Sequence, residues 1–353
     1  MSDNPLESKD QSGGGGFRAF WSRHRHLFWT LHSLWALATG VFVVWLARER
    51  YAFVPWVVLF LALTWASTMF FGRRIPDSPR EEEGSPRVPG LGEEATSYLT
   101  RTMYQETLFF LLPFYAYSTV VGSVNMVFLL GLGALAFVSC LDLVFDRWLR
   151  TSPVASVAFF AIVAFAALNL LLPILMPLAP IWSTRIAVVA AIVSAVPLAA
   201  GSISWTTGVK ARVGGAALVF VAVALGFPQL VPPVPLRLDS ATFSRDIERS
   251  TLEPIQTFTG RARLTDLDGA VVVLMEVFAP TVVPTRVAMV WERNGTVIRE
   301  SREIEILAHD LGFRVWDAWR PTDAPLEAGE YEVVLRTAAG RMFGRASIEV
   351  LDS

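Results

Sequence analysis

Residues Val213 to Ser240 read VGGAALVFVAVALGFPQLVPPVPLRLDS, and the change of character inside this stretch divides the chain in two. From Val213 to Leu230 there is no charged residue. At 1.5 Å per residue such a run, coiled as a helix, covers about 27 Å, close to the hydrocarbon thickness of a bilayer. Val231-Pro-Pro-Val-Pro235 then forms a stiff, extended spacer. Beyond it apolar and polar residues alternate with the period of strands, and no apolar run approaches spanning length.

Working back from that boundary, the pattern repeats. Apolar runs lie at 27–47, 52–71, 107–121, 126–145, 153–176, 185–204 and 213–230, seven candidate crossings. The first holds Phe28, Trp29, Trp35 and Phe42 and lacks a small-residue cleavage site, so it reads as a retained span rather than a leader. The third is short and contains Pro113, and both a crossing and a re-entrant segment fit it. Pro113, Pro173 and Pro197 predict kinks. Small residues from Ala187 to Gly201 predict close helix approach. Over all 353 residues 53% are hydrophobic and 18% charged, with a mean hydropathy of +0.46. A soluble domain carries about 25% charged residues, so a purely soluble protein, a disordered chain and a coiled coil are all excluded. A net charge of −2 argues against nucleic acid as a partner. The single cysteine, Cys140, excludes an internal disulfide framework.

Arginine and lysine set the expected orientation. With the N-terminus in the cytoplasm, thirteen basic residues fall in inner segments, and only Arg48, Arg50 and Arg185 fall in short outer loops. The expected organisation is therefore a flexible tail and basic interfacial segment at 1–26, a transmembrane helical domain at 27–230, a Pro-rich linker at 231–240 and an extracytoplasmic β-domain at 241–353. The bilayer is the primary partner. The expected location is a bacterial inner membrane, crossed several times, with the C-terminal domain in the periplasm.

The last 118 residues hold fourteen arginines and nineteen acids, a local charge of about −5. Alternation predicts strands at 256–264, 270–278, 285–292, 297–307, 313–319, 331–337 and 342–350. Asn294-Gly295 and Ala339-Gly340 mark two hairpins, because such residues tolerate positive φ. Seven short strands predict an immunoglobulin-like sandwich, with a mixed barrel as the alternative. Tyr331 in Leu326-Glu-Ala-Gly-Glu-Tyr331 resembles that architecture's tyrosine corner. Trp291, Trp316 and Trp319 are the candidate aromatic surface for a partner or glycan. In a strand through Phe313–Trp319, Trp316 and Trp319 face opposite ways, so one of them fills the core.

No nucleotide loop, metalloprotease pair or nucleophile elbow is present, and no cofactor, metal or catalytic residue is implied. Ionisable groups at membrane depth are the better site candidates, because each costs about 2.5–3.5 kcal/mol at a helix centre. Glu106, Asp142, Asp146, Arg147, Lys210 and Arg212 all fall near the expected inner boundary. Asp142 and Asp146 lie one turn apart on one helix face. The grouping fits a proton or ion site and equally an ion-pair network that fixes helix register. Asn169 lies deep in the fifth apolar run and His32 in the first.

With these residues in view, the chain resembles bacterial inner-membrane proteins of the five-nine-two-four family of unknown function, followed by a two-nine-one-four-type domain of unknown function. The likeness rests on Tyr104-Gln-Glu-Thr-Leu-Phe-Phe-Leu-Leu-Pro-Phe114 and Asp142-Leu-Val-Phe-Asp146-Arg147. In the β-domain it rests on Val290-Trp-Glu-Arg-Asn-Gly295 and Leu335-Arg-Thr-Ala-Ala-Gly-Arg-Met-Phe-Gly344. The family pattern has histidine where this chain has Tyr104, which speaks against a metal or proton relay at that position. The resemblance implies an architecture and no activity.

Three functions compete. The first is a non-enzymatic envelope protein that presents its outer β-domain to a ligand, polymer or partner protein. The second is a transporter or channel using the inner-face acids. The third is a membrane-embedded enzyme on a lipid-linked substrate.

Overall fold

The structure, a computed structural model, describes residues 91–140, 152–202, 206–279, 285–306, 313–322 and 324–352, with isolated helical positions between 31 and 62. Five helices have defined bounds: α1 (Leu91–Tyr117), α2 (Met126–Cys140), α3 (Pro153–Leu175), α4 (Pro180–Ser202) and α5 (Thr207–Gly226). Ser152 caps α3 by accepting from the Ala155 amide, 3.3 Å away, and Pro153 supplies the first helical residue, where no amide donor is needed. α3 is apolar on every side, so it needs protein or lipid all around it. α4 provides one such cover. Ala187, Ala191, Ala195 and Ala199 recur every four residues and are buried, and α3 and α4 pack along their length. Without long side chains between them the two backbones come close, and dispersion over the whole seam holds the pair. Phe165 of α3 meets Phe128 of α2 and Phe220 of α5 edge-on, at 6.0 and 5.4 Å between ring centres, so α3 is the hub of the helical core.

The seven-span bundle is corrected by these helices. Among the described residues three segments, Val154–Leu175, Pro180–Pro197 and Thr207–Gly226, are long and apolar enough to cross a membrane. The expected third run is the second half of α1, whose first half carries Glu93, Glu94 and Arg101, so the helix has no sufficiently long apolar window. The described part of the fourth, Met126–Cys140, is a shorter apolar helix of 15 residues. The first two apolar runs, apart from a few isolated positions, lie outside the described residues, as does His32.

The C-terminal part is a two-sheet domain. Its strands are β1 (Arg237–Glu248), β2 (Glu253–Phe258), β3 (Arg261–Arg263), β4 (Val271–Phe278), β5 (Thr285–Arg293), β6 (Thr296–Glu300), β7 (Ile304–Ile306), β8 (Phe313–Trp319), β9 (Gly329–Thr337) and β10 (Met342–Leu351). One sheet has the order β2-β1-β4-β8; the other has β3-β10-β9-β5-β6, with β7 also paired to β5. β3 runs parallel to β10 and the remaining pairs are antiparallel, so the domain is mixed rather than the antiparallel immunoglobulin-like arrangement expected. Alternate residues of β4 (Val271, Val273, Met275, Val277) and of β5 (Val287, Met289, Trp291) fill the core between the sheets, joined by Tyr331, Val333 and Leu335 of β9. The Tyr331 hydroxyl donates to the Glu327 carbonyl at 2.8 Å, the tyrosine-corner bond read from the sequence. Asn294 and Gly295 turn the β5–β6 hairpin with φ of 50° and 77°.

The boundary between the halves differs from the expected linker. β1 begins at Arg237, inside the stretch read as spacer. Val231 and Val234 are buried in the helical core rather than suspended in solvent. The proline spacer is thus a packed seam, and it seats the β-domain against the ends of the helices.

Candidate functional site

Three polar side chains lie within the apolar helical core near this seam. Tyr115 of α1 is fully buried, and its hydroxyl donates to the Ala166 carbonyl of α3 at 2.9 Å. The same oxygen accepts from Asn169 Nδ2 at 3.1 Å. Asn169 Oδ1 accepts in turn from the Thr184 hydroxyl of α4 at 2.7 Å, and that hydroxyl also lies 2.9 Å from the Pro180 carbonyl. A buried polar group left without a partner costs about 1–3 kcal/mol. These three remove that cost for one another and tie α1, α3 and α4 together at one level.

The chain of contacts continues into the β-domain. Arg341, in the turn between β9 and β10, is 1% exposed and donates from Nη1 to the Pro180 carbonyl at 3.4 Å. Its Nε and Nη2 are buried and have no hydrogen-bond partner. Burial pushes its guanidinium down to about 10, with the Tyr115 hydroxyl acting weakly the other way, so the group is still a cation at neutral pH. Beside it, Asn125 in the α1–α2 connection donates to the Met342 carbonyl at 2.7 Å. Arg237, at the start of β1, lies between the rings of Tyr117 and Phe278, at 5.1 and 4.7 Å, and pairs with Asp239 at 3.2 Å. The hairpin tip and the first residue of β1 therefore grip the helix ends with two arginines, one ion-paired and one not.

The residues read from the sequence fall elsewhere. Glu106 is exposed on α1, and Lys210 and Arg212 are exposed in the first turns of α5. α1 packs mainly on α2 and α3, and α5 on α3 and α4. Asp142, Asp146 and Arg147 lie outside the described residues. Among the described residues no three His, Cys, Asp or Glu side chains gather as a metal would require.

The three tryptophans separate. Trp291 is wholly buried, and its Nε1 donates to Asp317 Oδ2 at 3.0 Å; Asp317 also pairs with Arg299 at 2.9 Å, linking the two sheets. Trp319 packs on the core, half-buried. Trp316 is 37% exposed on the outer face of the four-stranded sheet, in a row with Leu274 and Thr242. On the six-stranded sheet a groove of ≈ 730 Å³ is lined by Asn294, Gly329, Glu330, Ser347, Glu349 and Asp352. Burial raises the nearby Glu332 carboxyl, and Glu292 and Glu330 add to that effect against Arg345.

Sequence reasoning singled out Asn169 and passed over Tyr115, Thr184 and Arg341. The first two look like ordinary residues near helix ends. Arg341 is one of fourteen arginines in an acidic domain, and only the docking of that domain makes it unusual.

A family model described as a family of unknown function (DUF5924) matches residues 17–266, which takes in the helical part and the first strands of the β-domain. The match ends before β4, and the two-nine-one-four-type domain that the sequence likeness implied is not shown. No curated protein matches the chain.

Proposed function

Because this chain belongs to the DUF5924 family of unknown function, we propose its role from the molecule itself: a bacterial inner-membrane protein that holds a β-domain against the outer ends of its helices and presents it to a ligand, polymer or partner protein. The observation that carries this reading is α5. Leu218 and Val219 at its centre are 70% and 62% exposed, and Val189, Val193 and Val196 on α4 are similarly open. Soluble proteins seldom expose apolar patches beyond about 600 Å², whereas lipid accommodates them. Trp182 and Arg185, stacked at 4.8 Å near the start of α4, suit the interfacial belt where a ring and a cation meet headgroups. The β-domain follows α5 at the end opposite Lys210 and Arg212, as the excess of basic residues in the inner segments requires. Trp316 and the acidic groove are its two candidate contact surfaces.

The test is a pair of C-terminal fusions in a Gram-negative host. Alkaline phosphatase, active only outside the cytoplasm, is expected to be active after residue 353, and a fluorescent protein that matures only in the cytoplasm is expected to stay dark. The reverse pattern overturns the reading. Partner capture is then tested with the full chain in nanodiscs against purified cell-wall glycans, comparing wild type with Trp316→Ala and Glu349→Lys.

A further inference from the structure

We propose that the β9–β10 turn is a reversible latch: Arg341 inserts among the ends of α1, α3 and α4, and its insertion couples the pose of the β-domain to the packing of those helices. This goes beyond presentation of the domain and does not depend on what the domain binds. The latch stands on three observations. Arg341 is almost wholly buried, yet two of its three nitrogens make no hydrogen bond and the third reaches a carbonyl at 3.4 Å, a long contact. That carbonyl belongs to the first residue of α4, and the Thr184 hydroxyl bonded to Asn169 lies against it, so the tongue touches the polar chain that sets three helices in register. Asn125 and Met342 close a second contact beside it.

A desolvated cation with unmet donors works against its own insertion. Apolar burial of Val231 and Val234 and the Asn125 bond favour docking, and hydration of the guanidinium favours release. With these contributions opposed at one contact, the tip has two positions, docked and released, whose balance either contribution shifts. The same two strands, β9 and β10, carry the latch at one end and Gly329, Glu330, Glu349 and Val350 of the groove at the other. At about 3.3 Å per residue these ends are roughly 26 Å apart. A ligand seated in the groove therefore has a stiff hairpin through which to favour one position of the latch.

The experiment uses the full chain in lipid nanodiscs, with Cys140→Ser and spin labels at Val121→Cys and Val297→Cys, two exposed positions on either side of the seam. Pulsed electron spin resonance gives the distance distribution. The latch predicts two populations with Arg341 present. It predicts collapse onto the docked one in Arg341→Met, which keeps the length and removes the charge, with the undocked fraction falling at least several-fold. A single narrow population with Arg341 present overturns the proposal, and this arm needs no variant at the latch. A longer or broader distribution in Arg341→Met also overturns it, because that is the behaviour of an arginine that only anchors.

Discussion

Thr184 shows how much one hydroxyl decides at the seam. It is buried, and it satisfies Asn169, which in turn satisfies Tyr115. Thr184→Val keeps the shape and leaves the Asn169 carbonyl oxygen without its donor, so a loss of about 1–3 kcal/mol is expected. Thermal unfolding in detergent measures it, and Thr184→Ser should recover most of the difference. Gly344 decides a different contact. A Cβ there would lie 2.9 Å from Leu238 Cβ and 3.1 Å from Leu335, where β10 crosses β1, so Gly344→Ala should cost about 1–3 kcal/mol through overpacking. Glu332 gives the pH dependence. Its folded-state carboxyl is raised by burial, so the folded chain binds this proton more tightly than the unfolded chain does. Its ionised form therefore weakens the fold above the raised value, and the penalty disappears as pH falls through that value. Glu332→Gln, whose amide oxygen can still accept from Arg345, should stabilise by under about 1 kcal/mol at neutral pH. The gain should fade as pH falls through the raised value and be absent below about pH 4, which unfolding midpoints at several pH values test.

Among the elements, α5 is the plainest case of a helix whose environment is legible from its surface. Val209, Val213, Phe220 and Val221 pack on the helical core, while Leu218, Val219 and Val223 face away from it. If the outward face meets lipid, Leu218→Arg near the middle of the helix should cost about 2.5–3.5 kcal/mol of insertion. The readout is a fall in the membrane-integrated fraction, with Ser347→Arg on the β-domain as a control that leaves it unchanged. The β-strands were legible for a related reason. Period-two alternation and the Asn294-Gly295 turn are local features, and β4, β5, β8, β9 and β10 fall at or near the positions read from them. β1 was missed because Arg237 to Ser240 adjoin the prolines and carry alternation too short to recognise. Its strand character comes from pairing with β2 and β4, which are distant in sequence.

For the whole molecule, the seam is the decisive feature. Val231 and Val234 join the helical core, and burying each contributes about 1.5–3 kcal/mol. Replacing both with serine should loosen the β-domain from the helix ends without unfolding either part. Limited proteolysis of the 118–125 connection, which the domain now covers at Asn125, would accelerate, while the core of the β-domain keeps its thermal transition.

Local sequence determined which segments were greasy helices and which were alternating strands, where the chain changes from one to the other, and the family to which it belongs. These properties follow from composition, periodicity and turn chemistry within a few residues. Over the described residues it overstated the crossings, because apolarity alone does not reveal that the third run continues a charged helix, as α1 does. Tertiary structure alone decided that the spacer is packed, that Trp291 lies inside while Trp316 lies outside, and that Arg341 is buried beside Pro180. Each depends on which distant surface covers a side chain, and burial is what turns one arginine among fourteen into an uncompensated charge at the junction.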